Sequence, residues 1–522
     1  MTTTLYRRGR VRSPADPFAT ALLVDGGTVA WVGGEGAADA MSCDRTVDLE
    51  DAWLAPAFVD AHVHATATGL ALTGLDLTDA PSLAVALDRV AAAARKARGA
   101  VVLGTGWDET DWPEGRAPTA AELDRASYGG VVYLARADVH SAVVSSALLA
   151  AAPDTRRAAG FLGDGLVRRD AHHVVRRAAY AAVTTGQRRA AQQATLDRAA
   201  QLGIACVHEC GGPDIGGEED FRTLLALGHG VEVVGYWGEL DGIERARELG
   251  AVGAGGDLFA DGALGSHTAH LHEPYLDEPT RGHGYLTVEQ VARHVAACTR
   301  AGLQAGFHAI GDAALDNVLA GIGRAAEQVG LPALRAARHR VEHAELLTAP
   351  LIAAMVAYGV VASVQPAFDA RWGGESGMYV QRLGAERART MNPYAALAAA
   401  GVPLALGSDA PVTPLDPWGT LRAAVHHRSP GSGLSARAAF SAHTRGGWRA
   451  ARVEGAGELT PGAPASFAVW DLPTELVVQM PDERISAWST DPRSGVAGLP
   501  DLSADDPLCR RTVVGGREVW TT

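Results

Sequence analysis

Over roughly 350 residues in the middle of this chain, short apolar runs alternate with stretches of helical period, and this rhythm restricts the fold more than any other feature. TVEQVARHVAACTRAG opens with Thr287 and Gln290 at capping-box spacing and closes on Gly302, which predicts a helix. LQAGFHAIG follows as a buried strand, then DAALDNVLAGIGRAAEQVG as the next helix. RHRVEHAEL, GVVASVQPA and GVPLALGSDAP repeat the strand theme. Strands joined by helices pair in parallel, so the expected fold class is α/β, a (β/α)8 TIM barrel. The competing architecture is an open doubly wound sheet. It expects a G-x-G-x-x-G turn after a strand, and none is present.

The two ends are written differently. ALLVDGGTVAWVGG and RTVVGGREVW are both strand–GG–strand hairpins, and ASFAVWDL adds another strand near the second. The expectation is a small β-sandwich built from both termini: residues 1–54 form its first part, and residues 426–522 a helical return and the rest. The barrel then takes residues 55–425, with an insertion at about 72–150, where GWDETDWPEGRAPTAAELDRAS breaks the rhythm.

Composition removes several classes of function. Lys and Arg number 46 against 60 Asp and Glu, and no basic cluster stands out beyond RRGR near the start, which argues against nucleic acid. No run of about 18 apolar residues occurs, so no membrane span is expected. The opening MTTTLYRRGRVRSPADPF lacks the apolar core of a signal peptide. Five cysteines are too few, and odd in number, for a disulfide framework. The expected location is the cytoplasm, and the expected partner a small molecule.

The chemistry is written at strand ends. In FVDAHVHAT, alternation puts Asp60, His62 and His64 on one side of a strand, and two imidazoles about 7 Å apart at Cα can converge on one ion. His308 closes LQAGFH, His343 closes RHRVEH, and Asp409 follows VPLALGS. Barrel enzymes build their sites at that end of the strands, and packing gives no reason to bury unpaired ionisable groups there. A divalent ion is therefore expected. Neutral imidazoles with a carboxylate suit zinc, with Asp409 as the base toward water and His343 polarising a carbonyl or stabilising its oxyanion. The reaction class is hydrolytic attack at a carbonyl carbon.

FVDAHVH, ADGALGSHTAHLHEPY, FHAIGD, RHRVEHAELL and GSDAPVTPLDPW, in this order, resemble the amidohydrolase superfamily, and most of all its YtcJ-like branch (amidohydrolase 3), which includes N-substituted formamide deformylases. The resemblance runs over nearly the whole chain. It implies a metal-dependent hydrolase with His62, His64, His308, His343 and Asp409 as ligands, and leaves a homodimer open. Relatives in the branch read VK-apolar-F-x-DG where this chain has GGDLFADG, which puts Asp257 at the place of a lysine that can bridge two metals when carboxylated. Aspartate is much shorter. Asp257 is therefore a further candidate ligand, and one ion is expected in preference to two.

Substrate contacts are expected from Trp107 in the insertion, His208 in ACVHECGG, His267 in GSHTAHLHEPY, and Gln365 at the end of VASVQ. RADVHSAVVSS resembles the branch's RxDGHxxxxNS at Asp138 and His140, which adds these two; Val139 and Ser145 depart from it. Each has a bland alternative: Trp107 with Trp112 as a subdomain core, His267 as loop polarity, and His208 with Cys206 and Cys210 as strand packing. The expected function is cleavage of a C–N (amide-type) bond in a small N-acyl or N-formyl compound. The alternatives are a deaminase or cyclic-amide hydrolase of the same superfamily, or an inactive barrel serving as a binding or regulatory protein.

Overall fold

The computed structural model describes residues 2–109, 112–136, 141–479, 488–489 and 498–522. Eight strands pair in parallel in chain order: β1 (Phe58–Val63), β2 (Ile204–Gly211), β3 (Glu232–Trp237), β4 (Gly253–Ala254), β5 (Gln304–Ala309), β6 (Arg340–His343), β7 (Val361–Val364) and β8 (Leu404–Leu406). Most are buried along their whole length, as strands covered on both faces must be. The cylinder closes where Asp409 N donates to His62 O (2.8 Å) and His64 N to Ala410 O (2.9 Å). The barrel expected from the alternation is therefore present. The segments after β8 that close it also carry Asp409 to the histidine pair of β1.

The outer helices start and stop where their side chains dictate. In Val288–Ala301, the Thr287 side chain accepts from Gln290 N while Gln290 answers the backbone of Thr287, and Gly302 ends the helix at φ 72°. The terminal hairpins also form. Ala21–Asp25 pairs with Thr28–Gly33, and Leu508–Val514 with Arg517–Thr521. Trp53–Pro56 runs antiparallel to Phe467–Asp471, so one five-stranded sheet holds strands from both ends of the chain. Tyr6, Leu22, Val24 and Val29 of the four-stranded N-terminal sheet share a buried cluster with Leu54, Phe467, Val469 and Val513.

By density of contact the chain divides into Met1–His64 with Leu196–Thr522, and a second unit, Ala65–Thr195, against the expected insertion at about 72–150. The second unit has its own six-stranded sheet, Leu75–Asp76 to Phe161–Gly163. The helices Leu83–Ala97 and Ala120–Ala126 are capped by Ser82 and by a Thr119–Glu122 capping box. Its later helix Arg169–Ala181, Ala-rich and amphipathic, reads like a barrel helix in sequence. Among the described residues no helix is long and apolar enough to cross a membrane.

Candidate metal centre

Glycines shape the approach to the site. After the two-residue β4 the chain turns through Gly255 and Gly256; a Cβ on Gly255 would stand 2.0 Å from Gly306 N, and Gly256 has φ 83°. Only glycine permits that closeness, and it delivers Asp257 into the barrel mouth. Asp60 does a similar task on β1. Its Oδ1 accepts from Ser408 N (2.9 Å) and His62 N (3.3 Å), which ties β1 to the loop bearing Asp409. His343 (φ 68°) and Asp409 (φ 55°) both hold left-handed backbone, a strained state for non-glycine residues that concentrates at functional sites.

These devices bring six side chains together. His62 Nε2 lies 3.4 Å from Asp257 Oδ2 and 3.5 Å from Asp409 Oδ1, and His64 Nε2 lies 3.1 Å from each. The other Asp257 oxygen, Oδ1, faces His308 Nδ1 at 3.6 Å and His343 Nε2 at 3.7 Å. A tetrahedron with ligands about 2.0–2.2 Å from its centre has edges of about 3.3–3.6 Å. Four of the six edges among His62, His64, Asp257 and Asp409 thus have the spacing found around a zinc-sized ion, and the donors of His62, His64 and Asp409, and of His62, Asp257 and His343, each lie within 4.8 Å of one another. Burial alone would raise the Asp257 carboxyl, but His62, with His308 and His343, holds it well below the usual carboxylate range.

Whether these residues fit an ion can be judged from their unsatisfied atoms. His62 Nε2, His343 Nε2, Asp257 Oδ1 and Asp409 Oδ1 are buried with no hydrogen-bond partner among the described residues. Buried polar atoms are seldom left so, and these converge on one another. The far sides of the rings are meanwhile fixed: His62 Nδ1 meets Glu342 Oε2 at 3.0 Å, His343 Nδ1 meets Gln365 Oε1 at 2.8 Å, and His308 Nε2 meets Gly262 O at 3.2 Å. Each acceptor places a proton on the far nitrogen and leaves the near one with a lone pair for a metal. The donor set fits a divalent ion.

The other expected contacts are placed less centrally. Gln365 stands behind His343. His208 is wholly buried, its Nδ1 3.1 Å from Arg340 Nη1, and burial with that guanidinium pushes it well below the usual imidazole range. Cys210 sits near His62 and Glu342. Both His267 nitrogens are engaged within its own loop, by Asp277 (3.0 Å) and Glu278 (3.1 Å). Asp138 and His140 lie outside the described residues.

Trp107 lies in the core of the second unit, 1% exposed, its Nε1 donating to Leu134 O (2.9 Å) and its ring 6.3 Å from Trp112. Trp107→Ala is expected to destabilise that unit by about 3–5 kcal/mol, measured by denaturant unfolding. A loss under about 1 kcal/mol would mean the ring is not packing there.

Sequence reasoning missed Arg340 and Glu342, both fully buried inside β6. The available signal was a pair of opposite charges either side of Val341, two residues apart on a strand and so on one face, since buried charges need partners.

A model of the amidohydrolase family matches residues 45–520. The putative amidohydrolase YtcJ of Bacillus subtilis is 29% identical over 422 residues, 73% of this chain and 75% of the relative. The protein LONG AFTER FAR-RED 3 of Arabidopsis thaliana is 27% identical over 507 residues, 87% and 85% of the two chains. Among solved structures, an uncharacterized metal-dependent hydrolase from Pyrococcus furiosus superposes with a TM-score of 0.76 at 25% identity, covering 90% of this chain and 98% of its own.

Proposed function

The chain belongs to the amidohydrolase family and is a metal-dependent hydrolase of carbon–nitrogen bonds, and on that premise we propose that it cleaves the amide-type bond of a small N-acyl or N-formyl compound. The observation that carries this reading is the position of Asp409, a carboxylate within 3.1–3.5 Å of both histidines of the HxH pair and at the mouth of the barrel. A divalent ion held by these residues, zinc by the donor chemistry, would supply a Lewis acid and lower the pKa of water toward about 7.

The protein's residues divide the remaining work. Asp409 accepts the proton released by attacking water and returns it to the leaving nitrogen. Asp257, reaching His62 and His64 through one oxygen and His308 and His343 through the other, keeps four imidazoles around one negative centre. His343 is a ligand-side residue in its neutral form. Its bond to Gln365 Oε1 leaves Nε2 without a proton, so it donates to an oxyanion only as imidazolium. We assign one tightly held ion to His62, His64, Asp257 and Asp409; the near nitrogens of His308 and His343 carry lone pairs and in their neutral forms offer a substrate carbonyl no proton. All five cysteines are unpaired, which supports a reducing cytoplasmic setting.

The experiment is metal analysis of the dialysed protein, followed by a panel of N-formyl and N-acyl amines read separately for amine, carboxylate and ammonia. The expected result is about one divalent ion per chain, with amine and carboxylate released in equal amounts. Ammonia as the product would transfer the reading to deamination. Two ions retained equally tightly would overturn the single-ion assignment.

A further inference from the structure

Beside the ligand cluster two opposite charges are enclosed in β6, and the two oxygens of Glu342 are spent on Arg340 and His62. Arg340 and Glu342 are both 0% exposed. Alternation on a strand directs residues two apart to the same face, so both enter the barrel interior. His343, the next residue, would then face outward. Its left-handed backbone, φ 68°, reverses that direction, so that Glu342 and His343 both reach His62: Glu342 Oε2 at 3.0 Å from Nδ1, and the His343 ring at 5.1 Å between centroids.

Arg340 grips Glu342 with two bonds, Nε to Oε1 at 2.5 Å and Nη2 to Oε2 at 2.9 Å. Nη2 shares its two N–H groups with Ala61 O (2.7 Å) on β1 and Ser363 Oγ (2.9 Å) on β7 as well, Nη1 donates to His208 Nδ1 (3.1 Å) on β2, and the guanidinium lies 4.3 Å from the Tyr236 ring centroid. The guanidinium is thus fixed by four strands besides its own. A carboxylate held in a two-pronged grip can only accept, so the His62 proton sits on Nδ1 and the Nε2 lone pair is aimed at Asp257 and Asp409.

The geometry points to Glu342 as a positioning residue that sets how tightly the ion is held, acting through His62, with Arg340 fixing the carboxylate in place. This rests on the metal reading above. A negative acceptor behind a ligating imidazole strengthens its lone pair and locks its tautomer, and loss of such a partner typically costs 10–100-fold in metal affinity. The competing view is that the pair serves only the fold. Buried ion pairs are often replaceable by neutral groups without loss of stability, which makes the two views separable.

The test is chelator competition for Zn2+ on the full chain, with the visible spectrum of the Co2+-loaded protein and the melting temperature of the ion-free protein. The proteins compared are wild type, Glu342→Asp, and the double variant Arg340→Met/Glu342→Gln. Glu342→Asp keeps a charge opposite Arg340 but withdraws it from His62 by one methylene. The double variant removes both charges and leaves a neutral amide at His62. Each folded variant should bind Zn2+ about 10–100-fold more weakly and show an altered Co2+ spectrum, while the ion-free melting temperature stays near wild type. Wild-type affinity and an unchanged spectrum in either folded variant overturn the inference. Failure of both variants to fold overturns it as well, since the pair would then be serving the fold. A wild type that binds no Zn2+ defeats the metal reading itself, an outcome distinct from variants that bind as well as wild type.

Discussion

Stripping divalent ions from the purified protein is expected to lower hydrolysis by roughly 10⁴-fold or more, because Lewis-acid polarisation and water activation together supply several kcal/mol of a barrier in which each 1.36 kcal/mol is tenfold. The protein itself provides little to replace them. The buried atoms at the cluster are lone pairs and carboxylate oxygens, none of them a nucleophile oriented by a neighbouring base, and Cys210 is a buried thiol whose pKa burial raises further. Re-addition of Zn2+ to the chelated protein should restore activity in step with occupancy. The uptake should also weaken in acid, since imidazole and carboxylate bind an ion only when unprotonated. The barrel should stay folded without the ion, because its core of apolar strands and helices is independent of the cluster. The measurement is turnover against bound-ion content, with far-UV circular dichroism as the control. Chelated protein that is demonstrably ion-free yet turns over at the original rate would remove the ion from the reaction.

The parts of this site that could be seen in sequence were those obeying simple periodicities. HxH on a strand, and His308, His343 and Asp409 at strand ends, follow from alternation combined with the location of barrel active sites. Asp257 was visible only as a departure, a short carboxylate where a longer arm was expected. Its stem is shorter than a carboxylated lysine's, and Gly255 and Gly256 let the backbone carry it inward, so that its two oxygens face different histidine pairs. Arg340 and Glu342 were hidden for another reason. A four-residue strand has too few positions to establish a period, and opposite charges two apart ordinarily mark a solvated face rather than a sealed one. His267 shows how little loops disclose. Its partners, Asp277 and Glu278, lie only ten and eleven residues on, yet nothing in loop spacing marks them as partners. The two terminal hairpins were legible because paired glycines dictate the turn itself.

Asp409→Asn is expected to reduce kcat by about 10²–10⁴-fold, the usual worth of a positioned acid–base group, with a much smaller change in KM. The substitution preserves shape: an amide of the same size can retain the left-handed backbone at φ 55°, which asparagine tolerates better than most residues. The carboxylate, by contrast, is irreplaceable in two respects. An amide oxygen cannot take a proton from water at neutral pH, and the neutral side chain gives up one of the anionic donors spaced 3.1–3.5 Å from His62 and His64. Those two losses can be told apart. If the proton is the larger contribution, the variant loaded to full ion occupancy stays slow. If ion retention dominates, activity returns as the ion is supplied in excess. The neighbouring Asp257 makes the first outcome the expected one, since it keeps an anionic oxygen 3.1 Å from His64 Nε2 whatever occupies position 409. Turnover of fully loaded Asp409→Asn within a few-fold of wild type would show that the proton travels by another residue.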